Sequence, residues 1–350
     1  MRLGLNVGYW GMRGHTSDEL EVVHEAERLG FSVVWAAEAW GSDVVSPLAW
    51  LAAQTSTIEL GSAVMQIPAR TPTMTAMTAA TLDSLSNGRF RLGLGVSGPQ
   101  VSEGWHGVPF GKPLARTREY VDIVKLAFSR EKVRYDGETY QLPLPDGPGK
   151  ALHLMLHPVR EHVPIYLAAI GPKNLELTGE IADGWLPVFF AAGYADEQLD
   201  KIKAGRAKVG KDLTGFDVAA TVPVSVGDDL EACALPVRPY SALYLGGMGS
   251  REENFYNALA TRMGFGDAAA DVQERYLAKD YDGAAAAVPF EFIDATSLLG
   301  PVDRMAEKMA EFAAAGITTM SLAPYGGNAE QRKTVLRAAA DALEKSGVSS

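Results

Sequence analysis

The stretch RFRLGLGVSGPQVSEGWHG, from Arg89 to Gly107, gathers many of the residues whose types and spacing can do chemistry. Gly93-Leu-Gly95-Val-Ser-Gly98 is a literal G-x-G-x-x-G, the pattern of a turn that cradles a diphosphate. That reading needs the third glycine to open a helix whose N-terminus faces the anion. Here Gly98 is followed by Pro99, Gly104, Gly107 and Pro109, which break any helix long enough to serve. Two other readings fit the same residues. Leu92–Val96 can be a strand whose glycines let a flat ring lie against the backbone, or the glycines only permit close packing between strands. Just beyond, Glu103 and His106 are the acid/base candidates, since a histidine titrates near neutrality and can move a proton it reaches.

Other clusters say less. Ile170-Gly171-Pro172-Lys173-Asn174 reads as a helix N-terminus with a lysine beside it, a place for an anion, and a plain helix cap fits as well. His153, His157 and His162 are interrupted by Pro158, so no metal site is expected. No G-x-S-x-G occurs to form a nucleophile elbow. The five basic residues between Lys201 and Lys211 read as a solvated helix face.

Short apolar runs alternating with helical patterns must position these groups. Strands are predicted at Leu3–Val7, Ser32–Ala37, Glu59–Met65, Phe90–Val96, Ile165–Ile170, Trp185–Phe190, Asp217–Val226 and Thr318–Leu322. Helices are predicted between most of them, including Pro72–Leu85, Arg116–Phe128 and Gly300–Gly316. Such alternation demands a parallel sheet with helical crossovers, and eight units over this length predict a closed α/β (β/α)8 TIM barrel. Two segments break the repeat. Near 129–164, Asp136-Gly137 between β-favouring flanks signals a hairpin insertion after strand 4. Near 229–299 a helix-rich excursion precedes the eighth strand and is expected to close over the barrel's mouth. No linker divides the chain, so 1–350 is read as one domain.

The totals agree. At 350 residues and 47% hydrophobic the chain can bury a full core, and no apolar run is long enough to span a membrane. Its single cysteine, Cys233, fits a reducing compartment, and the opening residues show no leader pattern, which predicts a cytoplasmic protein. A net charge of −11 argues against nucleic acid as a partner.

Four blocks, ELGSAVMQIPARTP (Glu59–Pro72), LDSLSNGRFRLGLGVSG (Leu82–Gly98), PIYLAAIGPKNLELTGEIADGWLP (Pro164–Pro187) and GPVDRMAEKMAEFAAAGITTMSL (Gly300–Leu322), resemble the luciferase-like monooxygenase superfamily. The likeness is strongest to its deazaflavin branch, the coenzyme F420-dependent oxidoreductases. The resemblance implies a flavin-like ring at the C-terminal ends of the strands, backed by a non-prolyl cis peptide at Ala63–Val64. It also implies that Glu38, Ala63, Val64, Gln66, Gly95, Val96 and Ser97 meet the ring or its side chain. Ile170, Gly171, Lys173 and Asn174 would hold the phosphate, and Arg70, Lys112 and Arg116 join Lys173 as cations for an acidic tail. The sequence departs from the branch in two places. Glu38-Ala39 stands where its sugar-phosphate and alcohol dehydrogenases have Asp-His, and Gly98-Pro99 stands where they have a glutamate. The function implied is hydride transfer between F420 and a small, apolar organic substrate. An FMN-dependent monooxygenase and a non-catalytic flavin binder are alternatives, and a homodimer is expected. Tyr9, Trp10, Trp40 and Trp105 are candidates for an apolar pocket.

Overall fold

A parallel sheet fed by helical crossovers must be covered on both faces or close on itself. The structure, a computed structural model, describes residues 1–11 and 15–349, and in it the sheet closes. Eight barrel strands run Arg2–Tyr9, Val33–Ala37, Glu59–Ser62, Phe90–Gly95, Ile165–Leu167, Gly184–Trp185, Asp217–Ser225 and Thr319–Pro324. Neighbours pair in parallel around the ring, the last links being Asp217 with Gly184, Ala219 with Thr319 and Arg2 with Thr319. The third strand is interrupted. Met65–Gln66 rejoins the fourth strand opposite Leu94 and Gly95, and the Ala63–Val64 peptide between the two pieces is cis.

Both expected interruptions are present. Tyr135–Asp136 and Gln141–Leu142 form the hairpin after the fourth strand, and Glu119 accepts hydrogen bonds from the backbone N–H groups of Glu138, Thr139 and Tyr140 at its tip. Between the seventh and eighth strands, helices from Leu230–Ala234 to Phe290–Thr296 build a second apolar cluster around Val237, Leu245, Val272, Phe292 and Ile293. Phe189, four residues beyond the sixth strand, belongs to that cluster.

The fifth and sixth strands are shorter than their apolar runs suggested. Phe189 has φ 55°, which turns the chain out of the extended conformation. The freed residues point toward the mouth instead of lengthening the sheet. The barrel interior is filled by Trp35, Tyr166, Leu186, Val33 and Ala219, each large side chain contributing roughly 1.5–3 kcal/mol by burial.

The N-terminal ends of the strands meet in a polar plug. Asp217 Oδ2 accepts from Arg91 and from the Tyr166 hydroxyl, each at 2.9 Å, while Oδ1 accepts from the Thr319 hydroxyl at 2.8 Å and from that of Thr318. Arg2 adds an ion pair at 3.2 Å, and Arg91 also pairs with Glu59. Burial alone pushes the Asp217 carboxyl up, but the threonine hydrogen bonds and the charges of Arg2 and Arg91 outweigh it, leaving the group below the ordinary carboxylate range.

Candidate active site

At the opposite, C-terminal face the strand ends surround a cavity of about 500 Å³. All eleven residues expected to meet a ring or its phosphate line it: Glu38, Ala63, Val64, Gln66, Gly95, Val96, Ser97, Ile170, Gly171, Lys173 and Asn174. They come from the ends of the second, third and fourth strands and from the segment that leads from the fifth strand into helix Pro172–Ile181. The insertion supplies Tyr244, Met248, Phe255 and Tyr256 from above.

The glycines of the fourth strand divide the expected roles. A Cβ on Gly93 would stand 1.9 Å from the Ser62 carbonyl oxygen, so Gly93 is required by the approach of the third strand. A Cβ on Gly95 would stand 2.6 Å from Val64 Cγ2, so this glycine makes room for a side chain on the cavity wall. Gly98 does open a helix, Pro99–Gly104, but one of only six residues. That is too short to present the N-terminal turn a dinucleotide fingerprint needs.

Glu38 is more occupied than its sequence position suggested. Its carboxylate accepts from the N–H of Val44 at 3.1 Å and of Gln66 at 3.0 Å, and it pairs with both terminal nitrogens of Arg70. Burial disfavours the Arg70 charge, but the hydrogen bond and charge of Glu38 more than offset this and hold it above its ordinary value. The pair fixes the broken third strand against the loop after the second. Arg70 is therefore committed to Glu38, and Lys112 to Glu138 on the hairpin. Arg116 donates to the Pro109 carbonyl oxygen at 2.8 Å. Of the four expected cations, Lys173 lines the cavity, and among the described residues it has no carboxylate partner. Asn174 and Leu175 turn their N–H groups back to the Gly171 carbonyl oxygen, so anion attraction at this helix start rests mainly on Lys173.

Two side chains on the wall carry a buried acceptor oxygen without a partner. Gln66 donates to the Ala39 carbonyl oxygen at 2.8 Å, which leaves its Oε1 buried without a partner among the described residues. Asn174 Oδ1 is in the same condition. Buried acceptors of this kind each cost roughly 1–3 kcal/mol unless something donates to them.

The acid/base candidates sit apart from this wall. Glu103 is exposed and its Oε1 accepts from the Phe110 N–H at 2.9 Å, which folds the loop after the fourth strand. His106 follows the short helix, and neither residue is on the cavity wall. Of the aromatic candidates Tyr9 and Trp40 line the cavity, whereas Trp105 is exposed and Trp10 packs edge-on against Trp50. Tyr244 and Tyr256 were missed. The i, i+4 spacing of Tyr240 and Tyr244 was the available signal, since it puts two phenols on one helical face.

The luciferase-like monooxygenase profile matches residues 6–319 of this chain. The chain belongs to that family. A Mycobacterium tuberculosis protein provisionally named a coenzyme F420-dependent oxidoreductase is 46% identical over 341 residues, covering 95% of this chain and 96% of its own. The 5,10-methylenetetrahydromethanopterin reductase of Archaeoglobus fulgidus is 32% identical, over 86% of this chain and 87% of its own. Among solved structures, the coenzyme F420-dependent tetrahydromethanopterin reductase of Methanopyrus kandleri superposes with a TM-score of 0.79 over 97% of both chains at 23% identity. That match shows the shared barrel of the family. Among the described residues no helix is long and apolar enough to cross a membrane, and no group of three or more His, Cys, Asp or Glu residues gathers to hold a metal.

Proposed function

We propose that this enzyme is an F420-dependent oxidoreductase that passes hydride between a deazaflavin and an apolar organic small molecule. The observation that carries the reading is the convergence of the eleven expected residues on one cavity at the barrel mouth. Both orphaned acceptors, Gln66 Oε1 and Asn174 Oδ1, lie on residues of that wall, where the N–H and hydroxyl groups of a polar-edged ring and its side chain can donate to them. The similarity to F420-named relatives supports the same cofactor.

When bound, a deazaflavin ring supplies two electrons and a proton as hydride. The protein's part is to dock it and to shield it. Ala63, Val64 and Gly95 offer an apolar wall for a flat ring, and Gln66, Val96 and Ser97 border it. Ile170, Gly171, Lys173 and Asn174 would take the phosphate. The roof formed by the insertion keeps water from the reacting face.

Titrating the purified protein with F420 and with FMN, each followed by its own fluorescence, tests the reading. Saturable quenching of F420 at equimolar stoichiometry, with weaker or no response from FMN, is the expected result. Tight FMN binding without F420 binding would favour the flavin monooxygenase reading. A cytoplasmic homodimer behaving as one domain over 1–350 accompanies the proposal. It predicts a particle of twice the chain mass in light scattering and a single melting transition.

A further inference from the structure

The first strand is irregular near the barrel's mouth. Its pairing with the second strand slips between Asn6 and Gly8, and Gly8 has φ 64°, in the left-handed region that favours glycine. The Gly8 N–H turns back and donates to Asn6 Oδ1 at 2.8 Å. With its oxygen taken, the Asn6 amide presents Nδ2, which donates to the Thr221 hydroxyl oxygen at 2.9 Å. The eighth strand lies between the two, and Ser321, level with Thr221 on it, is small enough for them to meet over it.

Thr221 lines the cavity from the seventh strand. A threonine hydroxyl offers one proton and two lone pairs. Asn6 occupies a lone pair, and among the described residues no group accepts the proton, so Thr221 meets the cavity as an unused donor. In the ring of strands the seventh stands opposite the third, which carries Ala63 and Val64 at its end. A flat ring held on that wall leaves Thr221 across the space where a second molecule would lie. Among the described residues the charged side chains of the wall are Glu38 and Lys173, which follow the second and fifth strands. Tyr9, Leu186 and Val188, near the ends of the first and sixth strands, and Tyr244 and Tyr256 of the insertion bring no charge to the other side.

Resting on the ring placement above, we propose that Thr221, aimed by Asn6, determines which molecules the site accepts: its hydroxyl donates to one hydrogen-bond acceptor on a neutral, otherwise apolar substrate. The acceptor atom is held opposite the donor, and the apolar remainder packs away from Glu38 and Lys173. A molecule of the same shape without that atom leaves the hydroxyl proton unpaired, and this difference is the basis of selection. The bonds from the Gly8 N–H through Asn6 to Thr221 run in one direction, so each polarises the next and strengthens the last donor. The bond orients the substrate, and no proton is transferred along it.

Quinoline and naphthalene share a shape and differ by one acceptor nitrogen. Their dissociation constants are measured on the F420-loaded protein at mildly alkaline pH, where quinoline is neutral, and the readout is the preference for quinoline over naphthalene. In wild type that preference should be about fivefold greater than in Thr221→Val, which keeps the shape and removes the hydroxyl. Thr221→Ser should keep the wild-type preference. Asn6→Ala retains the hydroxyl but frees its rotation, and the preference should fall to an intermediate value. Equal preferences in wild type and Thr221→Val, a Thr221→Ser protein that behaves as Thr221→Val, or no saturable binding of either probe overturns the proposal. An unchanged preference in Asn6→Ala counts against the aiming by Asn6. Should Thr221→Val not fold because Asn6 loses its acceptor, the double variant Asn6→Leu, Thr221→Val removes both partners and is read in its place. Failure of wild type to bind F420 would sink the cofactor reading instead, and the two probes on the cofactor-free protein would still decide the Thr221 contact.

Discussion

The two ends of this barrel are built on opposite terms. At the N-terminal end, both oxygens of Asp217 are saturated by Arg2, Arg91, Tyr166, Thr318 and Thr319, and among the described residues Arg91 Nε is left without a partner beside them. At the C-terminal end the chain spends its charged pair, Glu38 with Arg70, on holding a broken strand in place, and leaves Gln66 Oε1 and Asn174 Oδ1 without donors. Saturated polar groups stabilise one arrangement of the fold. Unsaturated ones on a cavity wall are suited to a ligand that brings the missing partners. The difference separates residues that hold the barrel from residues that await something in it.

Substitutions within one strand test that division most sharply. Gly93→Ala drives a Cβ into the Ser62 carbonyl oxygen, which is backbone and cannot yield, so a loss of about 3 kcal/mol or more and little folded protein are expected. Gly95→Ala, two residues along, presses on the Val64 side chain and touches Ala168 Cβ only at an ordinary 3.8 Å, with no backbone atom in its way. It should stay folded and lose roughly tenfold in F420 affinity, as a Val64 displacement worth about 1.4 kcal/mol would produce. Equal effects at both positions would erase the distinction between the two glycines.

Asp217→Ala takes one of two carboxylate partners from the buried Arg91, leaving Glu59, and removes the acceptor of the Thr318 and Thr319 hydroxyls; it should cost about 3 kcal/mol in chemical denaturation, with F420 affinity of the folded protein unchanged. The same network sets an acid limit. The Asp217 carboxyl lies below its unfolded value, so its stabilisation is complete above that value and is lost as pH falls through the folded one. Glu25 acts in the same direction between helices Thr16–Arg28 and Ala329–Ser346. A hydrogen bond from Arg28, opposed by burial and reinforced by Arg337, holds it at about 2 against 4.5 unfolded. Denaturation midpoints should therefore fall progressively between pH 4.5 and about 2, and Glu25→Gln should flatten that slope.

The smallest change in stability is expected at Lys173, an exposed side chain at the mouth. Lys173→Ala should leave the melting point within the range of about 0.5 kcal/mol typical of surface changes. It should weaken F420 binding at low salt, with the difference shrinking as ionic strength rises. No effect at low salt removes the phosphate assignment.

The alternation of apolar runs and amphipathic patterns made the barrel legible, because period and capping are local. Helix Pro72–Leu85 begins at its proline and ends where the sequence predicts. The fifth and sixth strands were overrun, since Leu186 and Val188 are as apolar as strand residues and nothing local shows that they face a cavity. Three of the four family blocks contribute to the wall, because they carry the ends of the third, fourth and fifth strands to the mouth. Nearness in sequence to the fourth strand did not carry Glu103 and His106 onto the cavity wall. The pairing of Glu38 with Arg70 and the gathering of Tyr9 and Tyr244 on one cavity wall join residues far apart in the chain, which no local pattern reveals.

The central claim is that the cavity wall is an incomplete hydrogen-bonding surface that a deazaflavin completes. A crystal structure of the F420 complex tests it most directly. The account predicts the ring against Val64 and Gly95, with Gln66 Oε1 and Asn174 Oδ1 each accepting a hydrogen bond from the cofactor. A ring bound elsewhere, or a phosphate seated on Gly98 and the short helix after it while both acceptors stay unpaired, would contradict it.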